Sequence, residues 1–252
     1  MCDLTVITVV KNDEQNIIST VNSVLNQKKC TFEYIVFDGR STDNTFNKLK
    51  KIKNKKIKIF SQKDENLYDA LNKCIKKSKG EYIFLMHSGD LFYNNFVLHK
   101  IGKKLIEKPD VISGNIKFFK KKNNRIIVNR VWRNQIKKIN KYSIFKIPHT
   151  SMVVRKKIIK QMNYYNIFYS ISSDMDFMIK LSKLKKLNYI YIDHFFTFML
   201  SNGLSTSKIN FFKKLFQDFK ILSSSYGYNF FSYYIFKIYF KFFQFFLFKQ
   251  NK

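Results

Sequence analysis

The sequence predicts an α/β fold built on a mixed, mostly parallel central sheet. Short apolar, β-branched runs alternate with amphipathic stretches at helical spacing through the first hundred residues. This alternation is typical of parallel sheets, in which a helix returns the chain between neighbouring strands. Size is the second observation, because 252 residues with 45% hydrophobic content are enough to bury one full core.

The first strand is predicted at residues 4–10, where the sequence is apolar and rich in β-branched side chains. Asn12 or Asp13 is expected to cap the helix that follows, because both side chains accept hydrogen bonds from free backbone N–H groups. The apolar face of this helix recurs at spacings of three and four residues and consists of Ile17, Val21, Val24 and Leu25.

Three further strands follow, and polar residues stand where two of them end. The strands are predicted at residues 34–37, 57–60 and 82–86, with helices at 44–51 and 67–77 between them. The first of these strands ends at Asp38, and the last leads to Asp90. Because open parallel sheets bind ligands beyond the carboxyl ends of their strands, both aspartates are candidate site residues.

The second half of the chain is less regular. Two strands are predicted at 111–119 and 126–132, separated by a polar turn. Short strands are predicted at 152–154 and 189–192, with a helix capped by Ser173 between them and a loop at 202–205.

The C-terminal segment differs in composition from the rest. Apolar residues recur at helical spacing between residues 212 and 222, and residues 226–248 are very rich in Phe and Tyr. Lys237, Lys241 and Gln244 fall on one helical face of the second stretch. This pattern favours an amphipathic helix in the membrane interface over a spanning helix. The alternative is a helix packed on the domain or in a dimer.

The net charge of the chain indicates which classes of partner it can attract. The chain has 47 basic and 17 acidic residues, for a net charge of +30. Such a chain is attracted to anionic membranes, nucleic acids and phosphorylated substrates. The lysines are spread over nearly every segment without a recognisable nucleic-acid-binding module, so nucleic acid is not expected as the main partner. The three cysteines form no CxxC pair, which favours a reducing compartment.

Several common kinds of site are missing from the sequence. Neither GxGxxG nor GxxxxGK[ST] occurs, so the chain has no dinucleotide fingerprint and no P-loop. The four histidines show no HExxH spacing, and no serine nucleophile elbow is present. A nucleotide would therefore have to be bound without these motifs.

Acidic residues remain as the chemical candidates. Asp38 with Asp43 could accept hydrogen bonds from a base or ribose, although an Asp-capped turn has the same pattern. Asp90 could bind Mg²⁺ or Mn²⁺, which prefer oxygen ligands. Asp174 and Asp176 begin a helix, where a carboxylate could serve as a base or could merely complement the helix dipole.

Read in order, these segments resemble the family 2 glycosyltransferases. The resemblance covers residues 4–205 and rests on eight motifs. They are ITVVKN at 7–12, SVLNQ at 23–27, YIVFDGRSTDNT at 34–45, LYDALNKCI at 67–75, GEYIFLMHSGD at 80–90, PHTSMVVRK at 148–156, SSDMDF at 172–177 and NGLS at 202–205. The resemblance implies a GT-A fold, a Rossmann-like α/β/α sandwich, with a nucleotide-sugar donor, a divalent metal and transfer with inversion.

The resemblance also implies roles for individual residues. Asp174 matches the general base of the family, and Asp90 falls at the end of its DxD-like metal motif. His87 and Gly89 stand where many members have aspartates, so metal binding by Mn²⁺ or Mg²⁺ rests on Asp90. The donor-binding candidates are Thr8, Asn12, Asp38, Asp69, Asn72 and Ser88, and those of the acceptor or donor-sugar region are His149, Asp176 and Ser205.

The expected reaction moves a hexose or N-acetylhexosamine from a nucleotide-diphosphate sugar, expected to be a UDP-sugar, to a glycan or lipid-linked oligosaccharide. It would belong to cell-surface polysaccharide or lipopolysaccharide synthesis, on the cytoplasmic face of the membrane. Residues 1–110 would bind nucleotide, 111–207 would bind acceptor and supply the base, and 208–252 would contact the membrane. The alternatives are a nucleotidyltransferase of related fold and a non-catalytic basic protein that binds membrane or nucleic acid.

Overall fold

The computed structural model describes residues 3–122, 125–201 and 208–239. The strands are β1 (Leu4–Val10), β2 (Glu33–Asp38), β3 (Ile57–Ser61), β4 (Tyr82–Leu85), β5 (Leu91–Phe92), β6 (Val111–Lys122), β7 (Arg125–Trp132), β8 (Met152–Arg155) and β9 (Tyr189–Leu200). The helices are α1 (Ile17–Leu25), α2 (Thr45–Lys50), α3 (Leu67–Lys77), α4 (Val97–Leu105), α5 (Lys156–Gln161), α6 (Ser173–Lys183) and α7 (Lys208–Tyr226). Residues 230–239 are also helical and are called α8.

All the described strands join one sheet, in the order β3-β2-β1-β4-β8-β6-β9-β5, with β7 paired to β6. The first four strands of this order are parallel, as are β6 and β9, whereas β8 runs antiparallel to both of its neighbours. The α/β fold with a mixed, mostly parallel sheet is therefore confirmed.

The core lies on both faces of the sheet. Every residue of β1 is buried, and alternate residues belong to two different apolar clusters. Ile7 and Val9 face the cluster that contains α3 and α6, while Val6 and Val10 face the cluster that contains α1 and α4. Because successive side chains of a strand point to opposite faces, a strand buried on both faces is apolar without interruption. The result is an α/β/α sandwich.

Several boundaries differ from those predicted. β9 has 12 residues instead of the four predicted, because it pairs with β6 from Tyr189 to Leu200. β5, α4 and α5 were not predicted. The α4 sequence is rich in lysine, and only Val97, Leu98 and Ile101 bury an apolar face.

The predicted helix caps are wrong in two places. α1 begins at Ile17, whose N–H donates to the backbone carbonyl of Asp13, so neither Asn12 nor Asp13 caps it with a side chain. In α6 the cap position is Ser172, Ser173 is already helical, and the Ser172 side chain makes no capping hydrogen bond. Other groups must therefore satisfy the N–H groups at the start of α6.

Residues 165–171, which lead into α6, are fixed by α3. Three side chains of α3 and its cap bind the backbone of this segment across about a hundred residues of sequence. The bonds are Asn66 Nδ2 to the Ile167 carbonyl (2.8 Å), Tyr68 Oη to the Ile171 carbonyl (2.9 Å), Asn72 Nδ2 to the Tyr165 carbonyl (2.8 Å) and the Tyr165 N–H to Asn72 Oδ1 (3.0 Å). Buried loop backbone needs such partners, so α3 determines the path of the segment.

The described part of the C-terminal segment packs on the domain. Ile221, Leu222 and Tyr233 are buried against Met175 and Ile179 of α6. In the parts of the chain that the structure describes, no helix combines the length and apolarity needed to cross a bilayer. Packing, the alternative left open by the sequence, therefore accounts for the inner side of α7 and α8.

Replacing Asn72 with alanine tests the bond between α3 and residue 165. The change removes both partners of the Tyr165 backbone, and we expect the free energy of unfolding to fall by about 1–3 kcal/mol. Urea denaturation measures it. Asn22→Ala is the matched control, because Asn22 is exposed on α1, and its effect should stay within about 0.5 kcal/mol. Equal effects of the two changes would contradict the prediction.

Candidate active site

The loops after β1 and β2 meet at the carboxyl edge of the sheet. Asp38, the last residue of β2, is fully buried and accepts hydrogen bonds from the Ser61 hydroxyl at 2.7 Å and the Ser41 N–H at 3.2 Å. Asn12 has a φ of 53°, and its Oδ1 accepts the Thr42 N–H at 2.8 Å. The structure therefore brings two of the donor-binding candidates together.

Two nearby residues have structural partners instead. Thr8 is fully buried, and its hydroxyl lies 3.0 Å from the Tyr34 hydroxyl within the helix-covered layer, so the structure does not bring it to the sheet edge. Asp43 accepts the N–H groups of Glu14 at 3.1 Å and Thr45 at 2.9 Å. Asp43 thus closes a turn, which is the alternative that its sequence pattern left open.

Asp64 is a site candidate that sequence analysis missed. Its carboxylate lies against Gly39, where any side chain would collide with it. Burial raises the pKa of Asp64, Lys11 counteracts this, and Asp69 and Asp38 raise it further. Asp64 therefore belongs to the same acidic group. The sequence does contain a signal for Asp64, because this residue follows β3 in the way that Asp38 and Asp90 follow other strands.

Asp69 and Asn72 lie on α3, and both side chains already have hydrogen-bond partners within the protein. Asp69 Oδ2 accepts the Lys73 ammonium at 2.8 Å and the Glu65 N–H at 3.1 Å. Burial raises the pKa of Asp69, but the bonds from Lys73 and Glu65 outweigh it and hold the pKa below its usual value. Asn72 uses both ends of its amide on Tyr165, so it contacts the loop before α6.

The turn at residues 87–90 is fixed from the side of α1. Gly89 has a φ of +92°, which favours glycine, and its N–H donates to the Thr20 hydroxyl at 2.9 Å. The Ser88 hydroxyl donates to Asp13 Oδ2 at 2.6 Å. This bond directs Ser88 towards the loop after β1.

Asp90 fits a metal ligand in one respect. It is 3% exposed; Oδ1 accepts the Leu200 N–H at 2.9 Å, while Oδ2 has no partner among the described residues. Burial raises its pKa to about 8. Residues 3–122, 125–201 and 208–239 hold no group of three metal-binding side chains. A metal here would need water and phosphate oxygens, as Mg²⁺ often does. Ser205, another candidate, lies outside the described residues.

Asp174, in the first turn of α6, interacts electrostatically with two histidines. It is partly exposed, and its Oδ1 accepts the Met175 N–H at 2.8 Å. His149 Nε2 lies 2.8 Å from the Tyr165 hydroxyl. Burial lowers the pKa of His149 and takes that of His87 to about 4, while the Asp174 charge raises both. Asp174 therefore interacts electrostatically with both His149 and His87.

Lysines of the C-terminal helices also affect the pKa of Asp174. Burial raises its pKa, but Lys214, His149, the Met175 N–H and Lys237 outweigh this effect and hold the pKa below its usual value. Asp174 is therefore ionised at neutral pH and can accept a proton. Asp176 points elsewhere, because its carboxylate pairs with Lys180 at 2.7 Å.

A comparison with known families decides what kind of protein carries this site. The family described as "Glycosyl transferase family 2" matches residues 5–162, more than half of the chain. The chain belongs to glycosyltransferase family 2. This is a GT-A family of inverting hexosyltransferases, so the chain is an enzyme. The nucleotidyltransferase and the non-catalytic binder are thereby set aside. The match ends before Asp174, so its role rests on the geometry.

Curated relatives of this family 2 transferase include two with named activities. Poly(ribitol-phosphate) beta-N-acetylglucosaminyltransferase TarP of Staphylococcus aureus (strain N315) is 34% identical over 41% of this chain and 33% of its own. UDP-Glc:alpha-D-GlcNAc-diphosphoundecaprenol beta-1,3-glucosyltransferase WfgD of Escherichia coli is 28% identical over 47% of this chain and 46% of its own. The matches span less than half the length of these relatives.

Solved structures share the fold. S. aureus TarS (residues 1–349) in complex with UDP-GlcNAc has a TM-score of 0.68 and 18% identity, over 90% of this chain and 68% of its own. The mannosyltransferase PcManGT from Pyrobaculum calidifontis, in complex with GDP-Man and Mn²⁺, has a TM-score of 0.64 and 12% identity, over 88% of this chain and 63% of its own. At these identities the likeness shows the GT-A fold alone.

Histidine titration in the Asp174→Asn variant tests the interaction between Asp174 and His149 without any substrate. The carboxylate charge raises the pKa of His149, so its loss should lower that pKa further. NMR of the imidazole protons measures the change. Asp176→Asn is the control and should leave His149 unchanged, because Asp176 pairs with Lys180. An unaltered His149 titration in Asp174→Asn would place the two groups apart.

Proposed function

We propose that this family 2 transferase moves a hexose or N-acetylhexosamine from a UDP-sugar to a glycan or lipid-linked oligosaccharide in cell-surface polysaccharide or lipopolysaccharide synthesis. One arrangement carries the proposal: the partly exposed Asp174 carboxylate stands in the first turn of α6, in a fold whose strand ends present Asp38 and Asp90. The UDP-GlcNAc complex of TarS and the diphosphoundecaprenol acceptor in the name of WfgD support the donor and acceptor classes.

The first half of the chain would bind the donor. Asp38 and Asp64 could accept hydrogen bonds from the base or ribose, with Asn12 setting the shape of the loop that follows Asp38. Asp69 and Ser88 are assigned to the same half, within residues 1–110. Carboxylates suit this task, because the N–H and hydroxyl groups of a nucleoside are donors.

Asp90 would hold Mn²⁺ or Mg²⁺ together with the donor diphosphate. Its unpartnered Oδ2 and the Mn²⁺ in the PcManGT complex support this assignment. A divalent ion would act as a Lewis acid that stabilises the negative charge of the leaving diphosphate. The chain itself contributes one buried carboxylate to such a site.

Asp174 would deprotonate the attacking hydroxyl of the acceptor. In an inverting transfer that hydroxyl attacks the anomeric carbon opposite the leaving diphosphate, and its proton passes to the base. His149, held by the Tyr165 hydroxyl, would border the acceptor or donor sugar. Ser205 is assigned to the same region, within residues 111–207, whereas Asp176, which pairs with Lys180, supports the helix instead.

Asp174→Asn tests the base assignment directly. Because general-base catalysis typically contributes about 10²- to 10⁴-fold in rate, we expect turnover to fall by that range while UDP binding is retained. A sugar-transfer assay and calorimetric titration with UDP and Mn²⁺ measure the two effects. Glu107→Gln, an acid-to-amide change at an exposed side chain, is the control and should keep full turnover. Near-normal turnover of Asp174→Asn would remove the assignment.

The C-terminal helices would rest on the cytoplasmic face of an anionic membrane, which presents lipid-linked acceptors. Large apolar side chains stand outward on α7 and α8, including Phe216 at 69% and Phe231 at 62% exposure. The net charge of +30 complements anionic headgroups. Lys237 points inward to Asp218, while Lys241 and Gln244 lie outside the described residues.

The double variant Phe216→Ser/Phe231→Ser tests this surface. Two aromatic side chains that enter the headgroup region contribute enough to change vesicle affinity by more than about tenfold. Co-sedimentation with phosphatidylglycerol-containing vesicles measures the affinity. Ile106→Ser, at an isoleucine 83% exposed after α4, should have little effect. If the double variant binds vesicles like the unaltered protein, this surface does not contact the membrane.

A further inference from the structure

Gln217 of α7 binds the backbone just before the helix that carries Asp174. It is 8% exposed, and its Oε1 accepts two N–H groups, from Ile171 at 3.0 Å and from Ser172 at 3.1 Å. Its Nε2 donates to the Ser170 hydroxyl at 3.3 Å. All the polar atoms of this side chain are thus directed at one short segment of another element.

The start of α6 depends on these bonds. The cap residue Ser172 makes no side-chain capping bond, and Gln217 binds the N–H of Ser172 itself and that of Ile171, the two residues that precede the helix. The carbonyl of Ile171 accepts a hydrogen bond from the Tyr68 hydroxyl of α3 at 2.9 Å. The backbone of residue 171 is therefore fixed from both α3 and α7, three residues before Asp174.

We propose that Gln217 is a positioning residue, which sets the direction of the Asp174 carboxylate. The proposal rests on the proposed function, in which Asp174 is the base. A base has to lie within hydrogen-bond reach of the proton it takes, and small displacements of a catalytic group lower the rate strongly. A side chain that fixes the first turn of α6 controls this distance without touching substrate.

The same helix also contributes to the charge around Asp174. Lys214, one turn before Gln217, and Lys237 of α8 both favour the ionised form of Asp174. Lys237 Nζ lies 2.5 Å from Asp218 Oδ2 and 2.9 Å from the sulfur of Met175, the residue after Asp174. α7 therefore binds the backbone just before the base and, together with α8, supplies lysines that favour its ionised form.

Gln217→Met removes the hydrogen bonds and keeps a side chain of similar size. We expect kcat to fall by about 10- to 100-fold with the KM for the UDP-sugar unchanged, because the donor is bound by the other half of the chain. Gln217→Glu retains oxygens that accept both N–H groups and should recover most of the lost kcat. Unchanged kcat in Gln217→Met, or no recovery in Gln217→Glu, would overturn the proposal.

Leu222→Ala separates positioning from stability. Leu222 is fully buried in the same contact between α7 and α6 but does not bind residues 170–172. We expect this variant to lower Tm more than Gln217→Met does. At temperatures well below its Tm, its kcat should be unchanged. If Leu222→Ala loses as much kcat as Gln217→Met, the loss in Gln217→Met reflects weakened packing and the proposal is wrong.

Asp174→Asn distinguishes this proposal from the one on which it rests. If Asp174→Asn loses turnover and Gln217→Met does not, only the positioning role fails. If Asp174→Asn keeps turnover, Asp174 is not the base, and the role of Gln217 fails with it.

Discussion

The candidate active site depends on the hydrogen bonding of one irregular segment, residues 165–172. Buried backbone outside helices and strands is costly unless its N–H and carbonyl groups find partners. Here the partners are side chains from two helices on either side, Asn66, Tyr68 and Asn72 from the region of α3 and Gln217 from α7. α6 begins where this segment ends, so its first turn takes the direction that these bonds impose. The same bonds therefore set the position from which the Asp174 charge raises the pKa of His149 and His87.

Most helices and strands could be predicted because the patterns that indicate them lie within the element's own sequence. The strands of the first half are uninterrupted apolar runs, and helices such as α3 follow 3.6-residue periodicity. β9 was underestimated, since its pairing with β6 is set by a distant element. The path of the backbone just before α6 is likewise set by a distant element, because Gln217 of α7, some 45 residues later, binds the N–H groups of Ile171 and Ser172.

The site could be predicted by residue type but not by partner. The strand-end rule found Asp38 and Asp90, and the same rule would have found Asp64. Asn72 was predicted to lie near the donor, whereas both ends of its amide bind a backbone 93 residues away. Gln217 gave no sequence signal, because a glutamine on a helix is common and only tertiary packing shows what it binds.

The most direct test of the account is a crystal structure of the complex with UDP. We expect uracil beside Asp38 and Asp64, the diphosphate directed towards Asp90, and the Asp174 carboxylate open to the space beyond the β-phosphate, with residues 165–172 still bonded to α3 and α7. UDP bound away from these strand ends, or Asp174 turned away from the diphosphate, would contradict it.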